Sequence, residues 1–262
     1  MASTPASKMD AMDLPLRAGA LLDRLRAERT RVHAITNAAA QVFTANLLLA
    51  AGGIPSLTIA PGEVSSFTSR SDALLVNLGT LDSDRRTAIS SAIATAQAQR
   101  KPWVLDPVFV DASPPRLAFA RQCLAGGPLV LRCNASEFAV LAKGDPSPEV
   151  LKAFARKHGT VVALTGAVDL VTDGARIIAV ENGHPLMARV TAMGCAATAL
   201  VAAFAALDSN ALEAAAAALL AAGVAGEIAA ETAGGPGSFQ PALLDALFTL
   251  DQASLSARAR CA

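Results

Sequence analysis

Four places in the chain carry residue types that could do chemistry: Asn37, Asp106, the segment from Arg132 to Glu137, and the pair Gly194–Cys195. Each directly follows, or ends, a run that reads as a buried strand. Asp106 and Glu137 bring two carboxylates, and a hard cation such as Mg²⁺ takes one or two carboxylates together with phosphate oxygens of a substrate. Taken singly, Asp106–Pro107 can equally open a turn, and Glu137 can complete a helix cap. Arg132 could clamp a phosphate bidentately or be a solvated charge at a strand end. Thr165–Gly166 could contact a nucleotide or simply close a strand.

The stretch "VTAMGCAATA" (190–199) is more informative. It is a polar turn with one glycine, then a cysteine, then an alanine-rich helix. Gly194 permits close backbone approach. The amides of Gly194, Cys195 and Ala196 are expected to point out of the helix start, making an anion site worth about half a positive charge. A thiol there is expected to ionise more readily than a free cysteine, although cysteine also serves as buried packing. A cysteine nucleophile would need a base within reach. Of the three histidines, His33 lies inside a strand, His158 at a helix C-terminus and His184 in a turn before Pro185. None favours a Cys–His hydrolase.

These residues must be held by a frame, and the apolar runs describe one. Strands are expected at 32–36, 55–60, 73–79, 102–107, 128–133, 160–166 and 168–174, with Asp173–Gly174 turning into 176–180. A helix is expected to open at Asn37. Others follow Asp82 and Ser113–Pro114, and Asn134-x-x-Glu137 has the form of a capping box. The last third reads as helices over 194–207, about 211–232 and about 239–256. Strands apolar on both faces that alternate with helices imply a largely parallel sheet covered on two sides. In such folds ligands bind beyond the carboxyl ends of the strands.

Composition narrows the function classes. The chain has 262 residues, 53% of them hydrophobic and 17% charged, which suits one large domain, with about 1–13 as a flexible segment. Lys plus Arg and Asp plus Glu balance at 22 each, so there is no overall basic field for nucleic acid or anionic lipid. The four cysteines form no Cys-x-x-Cys pair and no zinc spacing, and reduced thiols fit a cytoplasmic setting. The N-terminal stretch lacks the apolar core of a signal peptide. The uncharged run 190–207 is long enough to span a bilayer, but its alanines and polar turn favour a helix buried in protein.

Together the motifs resemble one family, the hydroxyethylthiazole kinases of thiamine salvage, within the ribokinase-like superfamily. The matching stretches are "VHAITNAAAQVFTANLLLAAGG", "ALLVNLGTL", "VLDPVFV", "LRCNASEFAVLA", "VVALTGAVDLVTDG", "VENGHPLMARVTAMGC" and "GPGSFQPALLDAL", in order from about 32 to 248. The resemblance implies a three-layer α/β/α fold with a central, mainly parallel sheet. It implies phosphorylation of the hydroxyl of 4-methyl-5-(2-hydroxyethyl)thiazole with ATP and Mg²⁺, in a homotrimer whose thiazole sites lie between subunits. By motif, Asn37 and the backbone of Leu57 would line the thiazole pocket. Arg132 and Thr165 would contact ATP, Asn134 would support its phosphates, and Asp106 and Glu137 would hold Mg²⁺. The turn Ala192–Met193–Gly194–Cys195 would lie between thiazole and transferred phosphate, with Cys195 as proton acceptor. The chain departs from the family where Ala192–Met193 replaces Gly-Thr, adding a β-carbon and exchanging a hydroxyl for a thioether. Two other functions stay open on the sequence: a ribokinase-like NAD(P)H-hydrate dehydratase, and a thiazole-binding homologue with weakened catalysis or another heteroaromatic alcohol as substrate.

Overall fold

The computed structural model describes residues 14–262; the first 13 residues, expected as a flexible segment, lie outside the described residues. Eight strands form one sheet: β1 (Arg31–Ile35), β2 (Ile54–Ser56), β3 (Ala73–Asn77), β4 (Trp103–Asp106), β5 (Val130–Asn134), β6 (Val161–Thr165), β7 (Asp169–Thr172) and β8 (Ile177–Val180). Their order is β2-β1-β3-β4-β5-β6-β7-β8. The first six positions run parallel and the β6–β7–β8 meander is antiparallel. The chain leaves β1 for β2 on one side and then returns past β1 to β3. This is the reversal of winding at which α/β sheets open a crevice.

Alternation along each parallel strand supplies two cores. Val32, Ala34, Leu75 and Val104 face one helical layer, whereas Ile35, Leu74, Val76 and Leu105 face the other. The result is the expected α/β/α sandwich. The first layer holds the Met193–Leu207 and Ala211–Thr232 helices, both largely buried. Alanine suits them because it favours helix and its small side chain lets neighbouring backbones approach. Met193–Leu207 therefore continues the uncharged run as a core helix. Ala211–Thr232 is the one described helix long and apolar enough to cross a membrane, and most of it is buried inside the fold.

Several boundaries differ from expectation. The helix after β1 opens at Gln41, not Asn37, because Asn37 sits in a turn closed by the Ala40 amide donating to its carbonyl at 3.0 Å. The expected 55–60 strand ends at Ser56, where pairing with β1 stops. The single helix over 239–256 is two helices, Pro236–Thr249 and Gln252–Arg258. The break comes where Asp251 takes an extended conformation and caps the second helix through the Ser254 amide at 2.8 Å. Helices Leu14–Glu28 and Val64–Arg70 were not foreseen. Segment 260–262 adds a bridge to the β8 edge, pairing Cys261 with Val180.

Candidate active site

Register aligns the strand ends. Asn77 pairs with Asp106 across β3 and β4, and Asn134 pairs with Thr165 across β5 and β6. Asn37 follows β1 at the same rim. A chain of hydrogen bonds crosses these ends. The Asn37 Nδ2 donates to Asn77 Oδ1 at 3.0 Å, and Asn77 Nδ2 donates to Asp106 Oδ2 at 2.8 Å. The Thr198 hydroxyl lies 2.9 Å from the same Asp106 oxygen, and Asn37 Nδ2 also lies 3.3 Å from the Cys195 Sγ. The network ties three strands to the first turns of the Met193–Leu207 helix. It brings Asn37, Asp106 and Cys195 together, although only the first two stand at strand ends. Gly194–Cys195, expected to follow a strand, comes after the short Pro185–Arg189 helical turn and lies in the first turn of the Met193–Leu207 helix.

Asp106 is fully buried, and its Oδ1 has no hydrogen-bond partner. Burial pushes its carboxyl up to about 6; the nearby Glu137 charge adds to that rise, while Arg132 opposes it. Glu137 is buried too, and both its oxygens are engaged: Oε1 accepts from the Phe109 amide and Oε2 from the Asn134 amide, each at 3.0 Å. The Asn134 side chain in turn accepts from the Glu137 amide at 2.9 Å, so the expected capping box is formed. The Asn134 oxygen is thus occupied by the cap, leaving its amide nitrogen for a ligand. Among the described residues no three His, Cys, Asp or Glu side chains cluster as a metal cage. One unpartnered carboxylate oxygen beside a second carboxylate instead fits Mg²⁺, which leaves most of its shell to water and phosphate.

The Met193–Leu207 helix starts differently. Ala192, at its N-cap, has φ 63 and ψ 10, the left-handed region that favours glycine, and makes no side-chain cap. The Ala196 amide already donates to the Ala192 carbonyl at 2.9 Å. The open amides are therefore Met193, Gly194 and Cys195, one residue earlier than expected. Arg132 lies over this turn: a β-carbon on Gly194 would stand 2.7 Å from its guanidinium. The Arg132 Nε is buried without a partner. An arginine fork and open helix amides facing one space form an anion site.

Cys195 corrects one expectation. Its thiol does not ionise readily but is pushed up to about 11, chiefly by burial and then by the Asp106 charge, against the hydrogen bonds of Asn77 and Asn37. Position at a helix start lowers a thiol only where desolvation and a neighbouring carboxylate do not outweigh it. Met193 is buried and contributes to the core.

Beyond Arg132 a cavity of about 570 Å³ opens, lined by Thr165, Gly166, Asp169, Met193 and Gly194 at one end and the segment from Glu181 to Ala188 at the other. Leu219, Ala222 and Ala197 form an apolar floor. The volume suits a small organic ligand with a charged end. Asp169 accepts from the Gly166 amide at 2.9 Å, and burial raises its carboxyl to about 6. Leu57 stands apart: it is half-buried after edge strand β2, with β1 and β3 between β2 and β4. At about 4.8 Å per strand the β2 edge lies roughly 14 Å from β4.

Four residues escaped sequence reasoning. Asn77 was a visible signal, a polar side chain ending an apolar strand. Thr198 stands three residues after Cys195, hence on the same helix face. Asp169 lay inside a quoted motif without a role, and Asn182 was hidden in a turn.

Comparison with known proteins covers nearly the whole chain. The family model "HK: Hydroxyethylthiazole kinase family" matches residues 22–253. A hydroxyethylthiazole kinase of Granulibacter bethesdensis is 47% identical over 254 residues, covering 92% of each chain. The solved structure of the hydroxyethylthiazole kinase protein from Pyrococcus horikoshii superposes with a TM-score of 0.89 at 38% identity, covering 94% of this chain and 98% of that one. A ribokinase-like superfamily protein from Enterococcus faecalis shares the fold at 16% identity, with a TM-score of 0.67 over 87% of this chain and 89% of that one.

Proposed function

This chain belongs to the hydroxyethylthiazole kinase family, and from that membership we propose that it transfers the γ-phosphoryl group of ATP to the hydroxyl of 4-methyl-5-(2-hydroxyethyl)thiazole. The observation that carries the reading is the anion site between two differently furnished spaces. Arg132 and the open amides of Met193, Gly194 and Cys195 face the cavity on one side and the Asn37–Asn77–Asp106–Cys195 network on the other. ATP enters the cavity with its phosphates toward Arg132, Asn134 and Thr165, and the thiazole alcohol lies toward Asn37 and Cys195.

Phosphoryl transfer is mainly positioning and charge stabilisation. The amides hold charge that develops on the equatorial oxygens, and Arg132 fixes the phosphate chain. Asp106, with Glu137 behind it, would hold Mg²⁺, which supplies neutralisation of the β- and γ-oxygens. With its thiol protonated at neutral pH, Cys195 is no proton acceptor but orients the acceptor hydroxyl by hydrogen bonding. The hydroxyl proton passes to an oxygen of the transferred phosphoryl group as the new O–P bond forms. A loose transition state does not call for prior ionisation of the alcohol. Ala192 adopts the backbone a glycine would, so the turn keeps its shape despite the exchange; this supports catalysis over a binding-only role.

Leu57 supports the thiazole site only if another subunit approaches the β2 edge. Val42 and Leu49, one face apart by seven residues, are 73% and 56% exposed on the Gln41–Ala51 helix that packs beside β2. They favour another subunit closing this edge, and the homotrimer and the cytoplasmic setting in thiamine salvage rest on the family resemblance alone. The deciding experiment offers a panel of heteroaromatic alcohols with Mg-ATP and identifies products by mass. Phosphorylated thiazole alcohol is expected; turnover of NAD(P)H hydrate in its place would transfer the chain to the dehydratases.

A further inference from the structure

The far wall of the cavity is a short irregular segment, and its stability is not its own. Glu181, Asn182 and Gly183 line the cavity without belonging to any strand or helix. They are pinned from behind by two residues that do not line it. Glu227, on the Ala211–Thr232 helix, accepts from the Gly183 amide at 2.9 Å and from Asn182 Nδ2 at 3.1 and 3.2 Å. Arg260 forks onto the same carboxylate, with Nη2 2.6 Å from Oε1 and Nη1 3.3 Å from Oε2. Its Nη2 also donates to the Glu181 carbonyl at 3.0 Å, and its backbone amide to Asn182 Oδ1 at 2.7 Å.

The arrangement leaves the wall little freedom. The Asn182 amide nitrogen also donates to the Arg258 carbonyl at 2.8 Å, and the Glu181 amide donates to the Arg260 carbonyl at 2.8 Å. The backbone of Asn182 rests directly on Gly223, where a β-carbon would meet its carbonyl oxygen at 2.5 Å. A charge-assisted fork fixes geometry as well as supplying energy, so the clamp defines where the Asn182 and Gly183 surfaces stand.

We propose that Glu227 and Arg260 are positioning residues for the nucleotide: by clamping segment 181–183 they set the cavity wall that receives the end of ATP remote from its phosphates. The proposal rests on the reading that this cavity takes ATP. Arg132 and the helix amides hold the phosphate end independently of the clamp. Loosening the wall therefore weakens the hold on ATP and leaves the thiazole alcohol and the transfer step largely untouched.

The test is steady-state kinetics of Arg260→Ala, Arg260→Lys and Glu227→Ala, alongside thermal unfolding and equilibrium titration of Mg-ATP. In Glu227→Ala and Arg260→Ala the KM and Kd for ATP should rise about tenfold, the size expected when a charge-assisted hydrogen bond is lost. The KM for the thiazole alcohol should stay within about twofold and kcat within about threefold, and Arg260→Lys should recover part of the loss. Should Glu227→Ala fail to fold, Arg260→Ala, whose side chain is half-exposed, carries the test. A fall in melting temperature with unchanged ATP affinity would reduce the clamp to a staple of the sheet edge. A fall in kcat with both KM values unchanged would overturn it likewise. Wild-type protein that bound no nucleotide would remove the kinase reading itself; wild-type binding matched by the variants would remove only the clamp.

Discussion

Two helices begin at the same rim of the sheet and finish their first turns in opposite ways. Ala135–Ala142 is closed by its own side chains: Asn134 and Glu137 satisfy each other's amides, and Glu137 takes the Phe109 amide as well. Met193–Leu207 is left open: Ala192 offers no cap, the first three amides find no acceptor among the described residues, and Gly194 lets Arg132 lie against the turn. A helix end without partners is a cost to stability unless a ligand meets it. The closed end thus holds a loop and a carboxylate in place, while the open end leaves its donors facing the Arg132 side chain.

The sharpest way to break this contrast is to plug the open end. Gly194→Val puts a branched side chain where the Arg132 guanidinium lies, and kcat/KM for ATP should fall more than about 100-fold while the circular dichroism spectrum is kept. Near-normal turnover would mean that the phosphates do not use this helix.

Asp106→Asn probes the charge between the two ends. Its carboxyl stands at about 6 in the folded protein against a usual 3.8, so the folded state binds the proton more tightly than the unfolded one. Stability is therefore lost as pH rises from about 4 to about 6, and above that the full penalty of the buried charge remains. In metal-free protein the asparagine variant should be more stable by about 3 kcal/mol at pH 7.5, with a gain that shrinks toward pH 4, while phosphoryl transfer collapses. Denaturant titration at the two pH values measures it, and a less stable variant would show that the Asn77 and Thr198 bonds outweigh desolvation.

Effects nearer 1 kcal/mol separate the two caps. Asn134→Ala should destabilise the fold by about 1 kcal/mol, with kcat falling less than at Gly194. Ala192→Gly should do the reverse, raising stability by up to about 1 kcal/mol through relief of the left-handed alanine. Thermal unfolding ranks the two. A destabilised Ala192→Gly would mean that the alanine methyl packs well enough to offset its backbone strain.

Much of this was legible in the chain. Alternating apolar strands announced the parallel sheet, Asn134 and Glu137 announced their cap, and Asp82 and Ser113–Pro114 marked helix starts that the structure has. These are local signals, complete within one turn or strand. The split of 239–256 at Asp251 and the early end of β2 were not legible, since they depend on what each segment packs against. The state of Cys195 failed for the same reason: a helix start lowers a thiol, but burial, and after it the charge of Asp106 89 residues away in sequence, raises it more.

The sequence by itself determined which residues stand at strand ends, because periodicity and caps act over a few neighbours. Only the tertiary structure decided that Asn37, Asn77, Asp106 and Thr198 share one chain of hydrogen bonds, that Asn134 spends its oxygen on a cap, and that Arg260 reaches Glu227 behind the cavity wall. Strand register and helix packing set those meetings, and both are sums of distant contacts that no short stretch of sequence carries.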